Sequence, residues 1–149
     1  NAAAMLQLKQ QLSQISDKER QEVSAFIHRL KQEFQLGKKK MSKRMAEMDA
    51  GKKCRLTKQL LWPDTGFQAY DPVLSAKAWD FLRQLSRKRQ QRITRLIYQQ
   101  ADYPHRLGDY QTRDSNGRTL ENIQIEGHLF TYWTDGPAKE LRILDIVEL

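Results

Sequence analysis

Cysteine is almost absent from this 149-residue chain, in which Cys54 is the single one. One cysteine forms no internal disulfide and has no CxxC partner, which excludes a disulfide scaffold and a cysteine-based zinc site. Apolar runs are also short. They span only a few residues, far below the roughly 20 that a bilayer crossing needs, and no charged-then-apolar leader is visible. We therefore expect a cytoplasmic protein that does not enter a membrane.

Motifs that carry metal or nucleotide chemistry are missing as well. The three histidines form no HxxxH pair, and no two carboxylates have metal-ligand spacing. There is no glycine-rich phosphate loop and no GxSxG nucleophile motif. We therefore expect neither a metal nor a cofactor.

The net positive charge of the chain comes from its first part. The net charge is +8, and residues 1–61 carry 14 Lys/Arg against 6 Asp/Glu, whereas residues 62–149 carry 12 of each. The segment WPDTG at residues 62–66 separates the two parts, since proline disfavours helix in the residue before it and glycine frees the chain after it. We therefore predict two units, residues 5–61 and residues 66–149.

Residues 5–61 have the pattern of three helices. Ser16 and Glu19 form a capping-box pair, and large apolar residues then recur at spacings of three and four. This pattern predicts one amphipathic helix over about residues 17–35, ended by Gly37. Leucines before it predict a shorter helix, and methionines after it predict a third, which Gly51 stops. The apolar stripe of the long helix consists of Val23, Phe26, Ile27, Leu30 and Phe34.

Three short helices with few large apolar residues make a thin core. Below about 70 residues a lone core is marginal. We therefore expect the first unit to be stabilised by packing against the second unit, against a second copy, or against both. Met41, Met45 and Met48 are interpreted as core filling, because flexible methionine side chains fit irregular gaps.

Residues 66–149 change from helical to strand periodicity. A short strand is predicted at residues 67–70, followed by helices over about residues 75–85 and 88–100. Strands separated by glycine-containing turns follow, at residues 109–113, 119–125, 128–134 and 140–147. This order predicts an α+β domain, with a helix hairpin packed on one face of an antiparallel sheet and the other face available for a ligand.

The second unit resembles a known family. Its segments AYDPVLSAKAWDFLRQLSRKRQQRITRLIYQQADYPHRLGDY and RDSNGRTLENIQIEGHLFTYWTDGPAKELRILDIVEL resemble the RelE/ParE superfamily of bacterial toxins. The likeness lies in the element order, in the connection from Pro104 to Gly108, and in a TYW strand followed by a RILDI strand. The first unit, with LSQISDKERQEVSAFIHRLKQE and RMAEMDAGKK, is similar to small helical antitoxins encoded beside such toxins. The chain therefore resembles an antitoxin and a toxin joined in one polypeptide.

The resemblance implies two alternative activities. RelE-like members cut mRNA on the ribosome, ParE-like members inhibit DNA gyrase, and an antitoxin segment, in cis or in trans, inhibits either. RelE-like members resemble one another in a catalytic arginine just after the glycine turn of the meander, where this chain has His128. A third interpretation therefore stays open, a non-enzymatic nucleic-acid-binding regulator on the same scaffold.

Polar side chains on the predicted strands are candidates for metal-free RNA cleavage. That reaction needs a base, an acid and cations that stabilise the transition-state phosphate. Two of the arginines fit solvated hairpin charges equally well, and a strand histidine is commonly a polar surface residue. The candidate catalytic residues are Arg113, Arg118, His128 and Tyr132.

The most concentrated basic feature lies in the helix hairpin. Residues 83–95 contain six Lys or Arg in thirteen positions and no acid. Such a run suits the phosphate backbone of a nucleic acid, or simply forms a solvated helix face. The candidate nucleic-acid-binding residues are Arg83, Lys88, Arg89, Arg92 and Arg95.

Antitoxins of this kind are often acidic and bind a basic toxin, whereas the first unit here has a net charge of +8 and the second unit is neutral. Inhibition would then rest on burying the apolar stripe of the long helix or on covering the sheet, and not on net attraction. The same stripe suits a second copy, so we expect a homodimer with the stripe as an inhibitory or oligomer interface. Basic residues 38–40 leave DNA binding open, although no helix-turn-helix is readable.

Overall fold

The computed structural model describes residues 1–56 and 70–149. The predicted linker at residues 62–66 and most of the predicted strand at residues 67–70 lie outside the described residues. The fold is α+β, with helices first and then a mixed sheet. The described helices are α1 (Ala2–Ser13), α2 (Asp17–Glu33), α3 (Gln35–Asp49), α4 (Ala76–Arg83) and α5 (Arg87–Asp102).

The described strands form one six-stranded sheet in the order β1-β2-β6-β5-β4-β3. The predicted antiparallel pairing holds for the meander from β3 to β6, whereas β2 and β6 run parallel, so the sheet is mixed. The helix hairpin and the meander between them form the crossover that a parallel pair requires. The strands are β1 (Cys54–Arg55), β2 (Asp71–Leu74), β3 (Tyr110–Arg113), β4 (Thr119–Ile125), β5 (His128–Asp135) and β6 (Glu140–Glu148).

Local sequence signals explain where most helices begin. Ser16 and Glu19 form the reciprocal capping box at the start of α2. Ser75 and Ser86 accept hydrogen bonds from the first turns of α4 and α5 in the same way. The predicted starts of these three helices are therefore confirmed.

The end of α2 differs from the prediction. The helix stops at Glu33 because Phe34 is extended, with φ −76° and ψ 156°, and α3 begins at once. Gly37 therefore does not end α2 but lies in the first turn of α3. A Cβ there would lie 2.0 Å from the carbonyl oxygen of Lys31, so glycine is what allows the two helices to meet so closely.

The main core lies between the sheet and the α4–α5 hairpin. Alternate residues of the strands face the hairpin, and the apolar stripe of each helix packs against them. The largest contributions to this core come from the second half of the chain. Its fully buried members include Leu74, Leu82, Ile93, Ile97, Phe130 and Ile143.

The opposite face of the sheet is covered by α2 and α3. Met41, Met45 and Met48 are 6%, 1% and 1% exposed and pack on Val73, Leu120 and Leu144 with Trp133 beside them. The interpretation of the methionine row as core filling is therefore confirmed. The molecule has three layers, and the sheet face that the sequence left available for a ligand is occupied by the first half of the chain.

The N-terminal half also contributes a strand that the sequence did not predict. Strand β1 pairs antiparallel with β2 at the sheet edge. Lys53 donates to the buried carboxylate of Glu140 at 2.7 and 2.8 Å, and Arg55 pairs with Glu140 at 3.1 Å and with Asp71. Cations of the first half therefore meet acids of the second half at specific points, although the second half is neutral overall.

Candidate nucleic-acid interface on the covered face of the sheet

A buried polar cluster joins helix α2 to strands β3, β4 and β5 of the sheet. The Gln32 amide nitrogen donates to Asn122 Oδ1 at 3.0 Å and to Thr131 Oγ1 at 2.9 Å, and its oxygen accepts from the Tyr110 hydroxyl at 2.9 Å. Asn122 in turn donates to Thr112 Oγ1 at 3.0 Å. We call these five residues the polar cluster. Both donors of Gln32 are used, so its burial costs little.

The Tyr110 hydroxyl is held in its neutral form. Burial is the largest effect and raises its pKa to about 12, and Arg29 opposes this only in part. The Arg29 guanidinium carbon lies 4.6 Å from the centroid of the Tyr110 ring, within cation–π distance. Tyr110 therefore serves this face as a hydrogen-bond donor at neutral pH.

Two arginines and a tryptophan lie on the same face, beside the end of α3. Asp49 bridges the arginines, since its Oδ1 accepts from Arg142 at 2.6 Å and its Oδ2 accepts from Arg118 at 3.0 Å. The guanidinium carbon of Arg142 lies 5.4 Å from the centroid of the Trp133 ring, and that of Arg118 lies 4.9 Å from it. We call Arg118, Trp133 and Arg142 the arginine cluster.

Arg142 is held rigidly in this cluster. Its side chain is 6% exposed and also contacts Asp135 at 3.2 Å and Glu140 at 3.5 Å. Arg142 and Arg118 together lower the pKa of Asp49, and the hydrogen bond from Arg142 is the largest cause. The carboxylate of Asp49 is therefore ionised at neutral pH, and half of its side chain faces solvent.

The structure does not bring the four candidate catalytic residues together. Arg118 lies on the face covered by α3. Tyr132 and His128 alternate onto the opposite face, toward the α4–α5 hairpin, and Arg113 is exposed on the edge strand β3. Tyr132 donates to the Arg106 carbonyl oxygen at 2.7 Å, and burial raises its pKa to about 12.

His128 lies in an environment that differs from the expected surface position. Its side chain is 7% exposed, because its ring packs against Phe81 of α4 with the centroids 6.1 Å apart. Nδ1 is 3.0 Å from the Glu126 carbonyl oxygen, and Nε2 is buried without a partner among the described residues. Its neighbours make it part of the packing between the sheet and the hairpin.

The basic run of the hairpin is exposed and partly neutralised. Arg83 pairs with Asp80, Arg89 with Glu148 and Arg92 with Glu126. Lys88 is exposed, and Arg95 lies on the same exposed side of α5. Exposed pairs of this kind are worth about 0–1 kcal/mol each, so they do not prevent these side chains from contacting phosphates.

The apolar stripe, with four side chains on α2 and Phe34 directly after it, is largely exposed to solvent. Phe26 and Phe34 are 61% and 63% exposed, and Val23, Ile27 and Leu30 are 39%, 44% and 37% exposed. Of the two alternatives for this stripe, burial against the sheet of the same chain is not what the structure shows, and pairing with a second copy stays a prediction. The opposite side of α2, through Gln32, and the methionines of α3 contact the sheet instead.

Sequence reasoning missed the residues that fill the covered face. Gln32 sits among charged neighbours in the sequence, and Asp49 stands alone after a methionine row, so neither has a local signal. Trp133 and Arg142, in contrast, had a local signal in the sequence. They alternate with the core residues of β5 and β6, which predicts that their side chains leave the hairpin face.

Comparisons of the chain with protein-family models, with curated proteins and with solved structures give no match. Within the described ranges no group of three or more His, Cys, Asp or Glu side chains is arranged to hold a metal ion. None of the helices in that part of the chain is long and apolar enough to cross a membrane.

Proposed function

We propose that the chain is a toxin–antitoxin protein in which a toxin module of the RelE/ParE type, residues 66–149, is held inactive by an antitoxin-like segment, residues 5–61. The resemblance of the two halves to these families motivates the assignment. A strand, a helix hairpin and a meander that returns beside the first strand support it at the level of fold.

One observation carries the inhibitory part of the proposal. Gln32 enters the sheet face from α2 and uses all of its amide hydrogen bonds on residues of the second half. Without α2 and α3, this face would expose the apolar side chains of Val73, Leu120 and Leu144 together with a hydroxyl-rich and amide-rich patch and two arginines. Such a surface suits a nucleic-acid backbone, whose phosphates take hydrogen bonds from Arg, Tyr, Thr and Asn side chains.

The expected reaction is ribosome-dependent cleavage of mRNA. In it, Arg118 would stabilise phosphate charge, and the basic side of α5 would bind ribosomal or messenger RNA. Arg113 would contribute from the edge strand. His128 and Tyr132 are buried on the other face, under the α4–α5 hairpin, so they would support the strands and not contact the RNA.

A second candidate function is a non-enzymatic one, inhibition of DNA gyrase or binding of nucleic acid as a regulator. The separation of Arg118 from Tyr132 and His128 favours it, because acid–base catalysis needs these groups within hydrogen-bond reach of one substrate. In that case the covered face would be a protein-binding or nucleic-acid-binding surface.

We also propose a homodimer, formed through the exposed stripe of α2. Five large apolar side chains in one row are unfavourable in water, and each one fully buried contributes about 1.5–3 kcal/mol. A two-fold pairing of identical stripes would bury all of them at once. This pairing leaves the polar cluster untouched, since Gln32 lies on the other side of α2.

Inducible expression in bacteria tests the toxin assignment. Residues 66–149 alone should arrest growth, whereas the full chain should not. Cut mRNA with a translation block supports the nuclease, and a block of supercoiling supports the gyrase inhibitor. A folded, soluble 66–149 fragment that leaves growth, translation and supercoiling unchanged would contradict both toxin activities.

A variant of the full chain tests the inhibitory contact. In Gln32→Glu a carboxylate oxygen replaces the donor that faces Asn122 Oδ1, so two acceptors meet and α2 is pushed from the sheet. We expect partial growth arrest. Gln11→Glu makes the same change on the exposed helix α1 and should behave like the wild type. Equal growth of both variants would remove Gln32 from the inhibitory role.

A further inference from the structure

Asp49 occupies a site that the surrounding residues build for an anion. Each of its two oxygens accepts a hydrogen bond from a different arginine, at 2.6 and 3.0 Å. These arginines come from separate elements, the turn before β4 and the first part of β6. Two guanidinium groups that converge on one small anion are typical of a phosphate site, because arginine donors match phosphate oxygens in geometry and charge.

The local structure of α3 does not account for the acid at this position. Asp49 is the last residue of the helix, where the free carbonyl groups form the negative end of the helix dipole. A carboxylate there is unfavourable for the helix. Its position is therefore explained by the two arginines that it meets.

The rest of the cluster suits the group that accompanies a phosphate in a nucleotide. Both guanidinium groups lie over the Trp133 ring, which is only partly buried. A nucleobase would therefore meet guanidinium planes as well as the indole, and bases stack on arginine planes as they do on aromatic side chains. Asp135 and Glu140 contact Arg142 from its other sides, so they hold its guanidinium in place without occupying the position of Asp49.

We propose that Arg118, Arg142 and Trp133 form a binding site for the phosphate group of a nucleotide, and that Asp49 fills this site as an internal substitute for the phosphate. The inference rests on the proposed function, because it takes the covered sheet face as the ligand surface. It adds that the ligand is a phosphate group and that the carboxylate of Asp49 blocks its site. Since the side chain of Asp49 is 44% exposed at the end of α3, a ligand displaces it by turning that side chain toward solvent, while Met48 beside it stays buried.

Phosphate binding to the purified full chain tests this site. Asp49→Ala should bind inorganic phosphate and adenosine monophosphate at least about tenfold more tightly than the wild type, since two charge-assisted hydrogen bonds become available. Titration calorimetry gives the affinity, and the indole N–H resonance of Trp133 reports contact at the site. Binding should weaken as salt is raised.

Matched variants separate the site from a general change in charge. Glu47→Ala removes the same charge from the same turn of α3, and it should bind phosphate like the wild type. Adding Arg118→Gln to Asp49→Ala should abolish the gain. Asp49→Asn keeps the shape of the side chain and replaces Asp49→Ala if the latter fails to fold.

The outcomes also distinguish the source of the phosphate. Tighter binding of a short oligoribonucleotide than of adenosine monophosphate assigns the site to a nucleic-acid strand, and equal binding assigns it to a free nucleotide. Folded Asp49→Ala and Asp49→Asn that bind none of the three probes better than Glu47→Ala would overturn the proposal. Growth arrest by residues 66–149 is measured separately, so either proposal can fail while the other stands.

Discussion

Gln32 and Asn122 lie 90 positions apart in the sequence and are joined by a buried hydrogen bond of 3.0 Å between Nε2 and Oδ1. The bond links a helix of the first half to strand β4 of the second half. A buried amide is costly unless its partners are in place. The two halves are therefore matched to each other at this position, and do not merely touch through apolar surface.

Replacing Gln32 tests the energetic value of that match. Gln32→Leu leaves the Tyr110 hydroxyl without its acceptor and removes the hydrogen bonds from Gln32 to Asn122 and Thr131, which still bond each other at 2.7 Å, so it should cost about 1–3 kcal/mol in the free energy of unfolding. Urea denaturation measures the loss. Gln11→Leu, on exposed α1, is the control and should change stability little. Equal stabilities of the two variants would mean that water replaces the amide at no cost.

Helix α3 should depend on its buried methionines. Met45 is 1% exposed, so Met45→Ala leaves a cavity against the sheet and should destabilise the protein by about 2–5 kcal/mol. Met5→Ala, at a position 55% exposed on α1, should have little effect. Chemical denaturation of both variants measures the difference, and a Met45→Ala loss as small as that of Met5→Ala would contradict the packing of α3 on the sheet.

Stability should fall in acid as the ion pairs of Glu140 are lost. Burial alone raises the pKa of Glu140, but the hydrogen bond from Lys53 and the nearby arginines lower it below the ordinary value of 4.5. A lowered pKa in the folded state contributes stability above pH 4.5, which is lost as pH falls through the folded value. Glu140→Gln should therefore flatten the decline in stability below pH 4.5. Glu22→Gln, at an exposed site on α2, should keep the decline of the wild type.

The connection before β3 should require glycine. A Cβ on Gly108 would lie 2.4 Å from the carbonyl oxygen of Asn122, and both are backbone positions that have no room to move. Gly108→Ala should therefore lower the melting temperature and disturb the polar cluster around Asn122. Gly136→Ala is the control, because its nearest neighbour, the Tyr70 hydroxyl, would be 3.9 Å away. Equal melting temperatures would contradict the close approach.

The proposed homodimer can be tested by the sedimentation of the protein in solution. The wild type should sediment as a dimer, and the double variant Phe26→Asp, Leu30→Asp should sediment as a folded monomer, since charges in the α2 stripe prevent its burial. Lys18→Asp, Arg20→Asp changes charge outside the stripe and should remain dimeric. A wild-type chain that stays monomeric at high concentration would rule out pairing through this stripe.

The sequence predicted the elements themselves well, because their signals are local. The capping box of Ser16 and Glu19 sets the start of α2, and the glycine turns bound strands β4, β5 and β6 close to their predicted limits. Alternation along β5 and β6 carries a local signal of the same kind, although it was not used to predict which residues face the core. Spacings of this kind act over a few residues, so no tertiary information is needed to interpret them.

The contacts between elements were decided only in the tertiary structure. The parallel pairing of β2 with β6 depends on where the chain returns after about 70 residues, and no short pattern contains that distance. The break at Phe34 depends on the close approach of Gly37 to Lys31. The sites of Gln32 and Asp49 depend on partners 69 to 99 positions away. Single polar residues gain these roles from the groups that surround them after folding, since burial and neighbouring charges determine what a side chain can do.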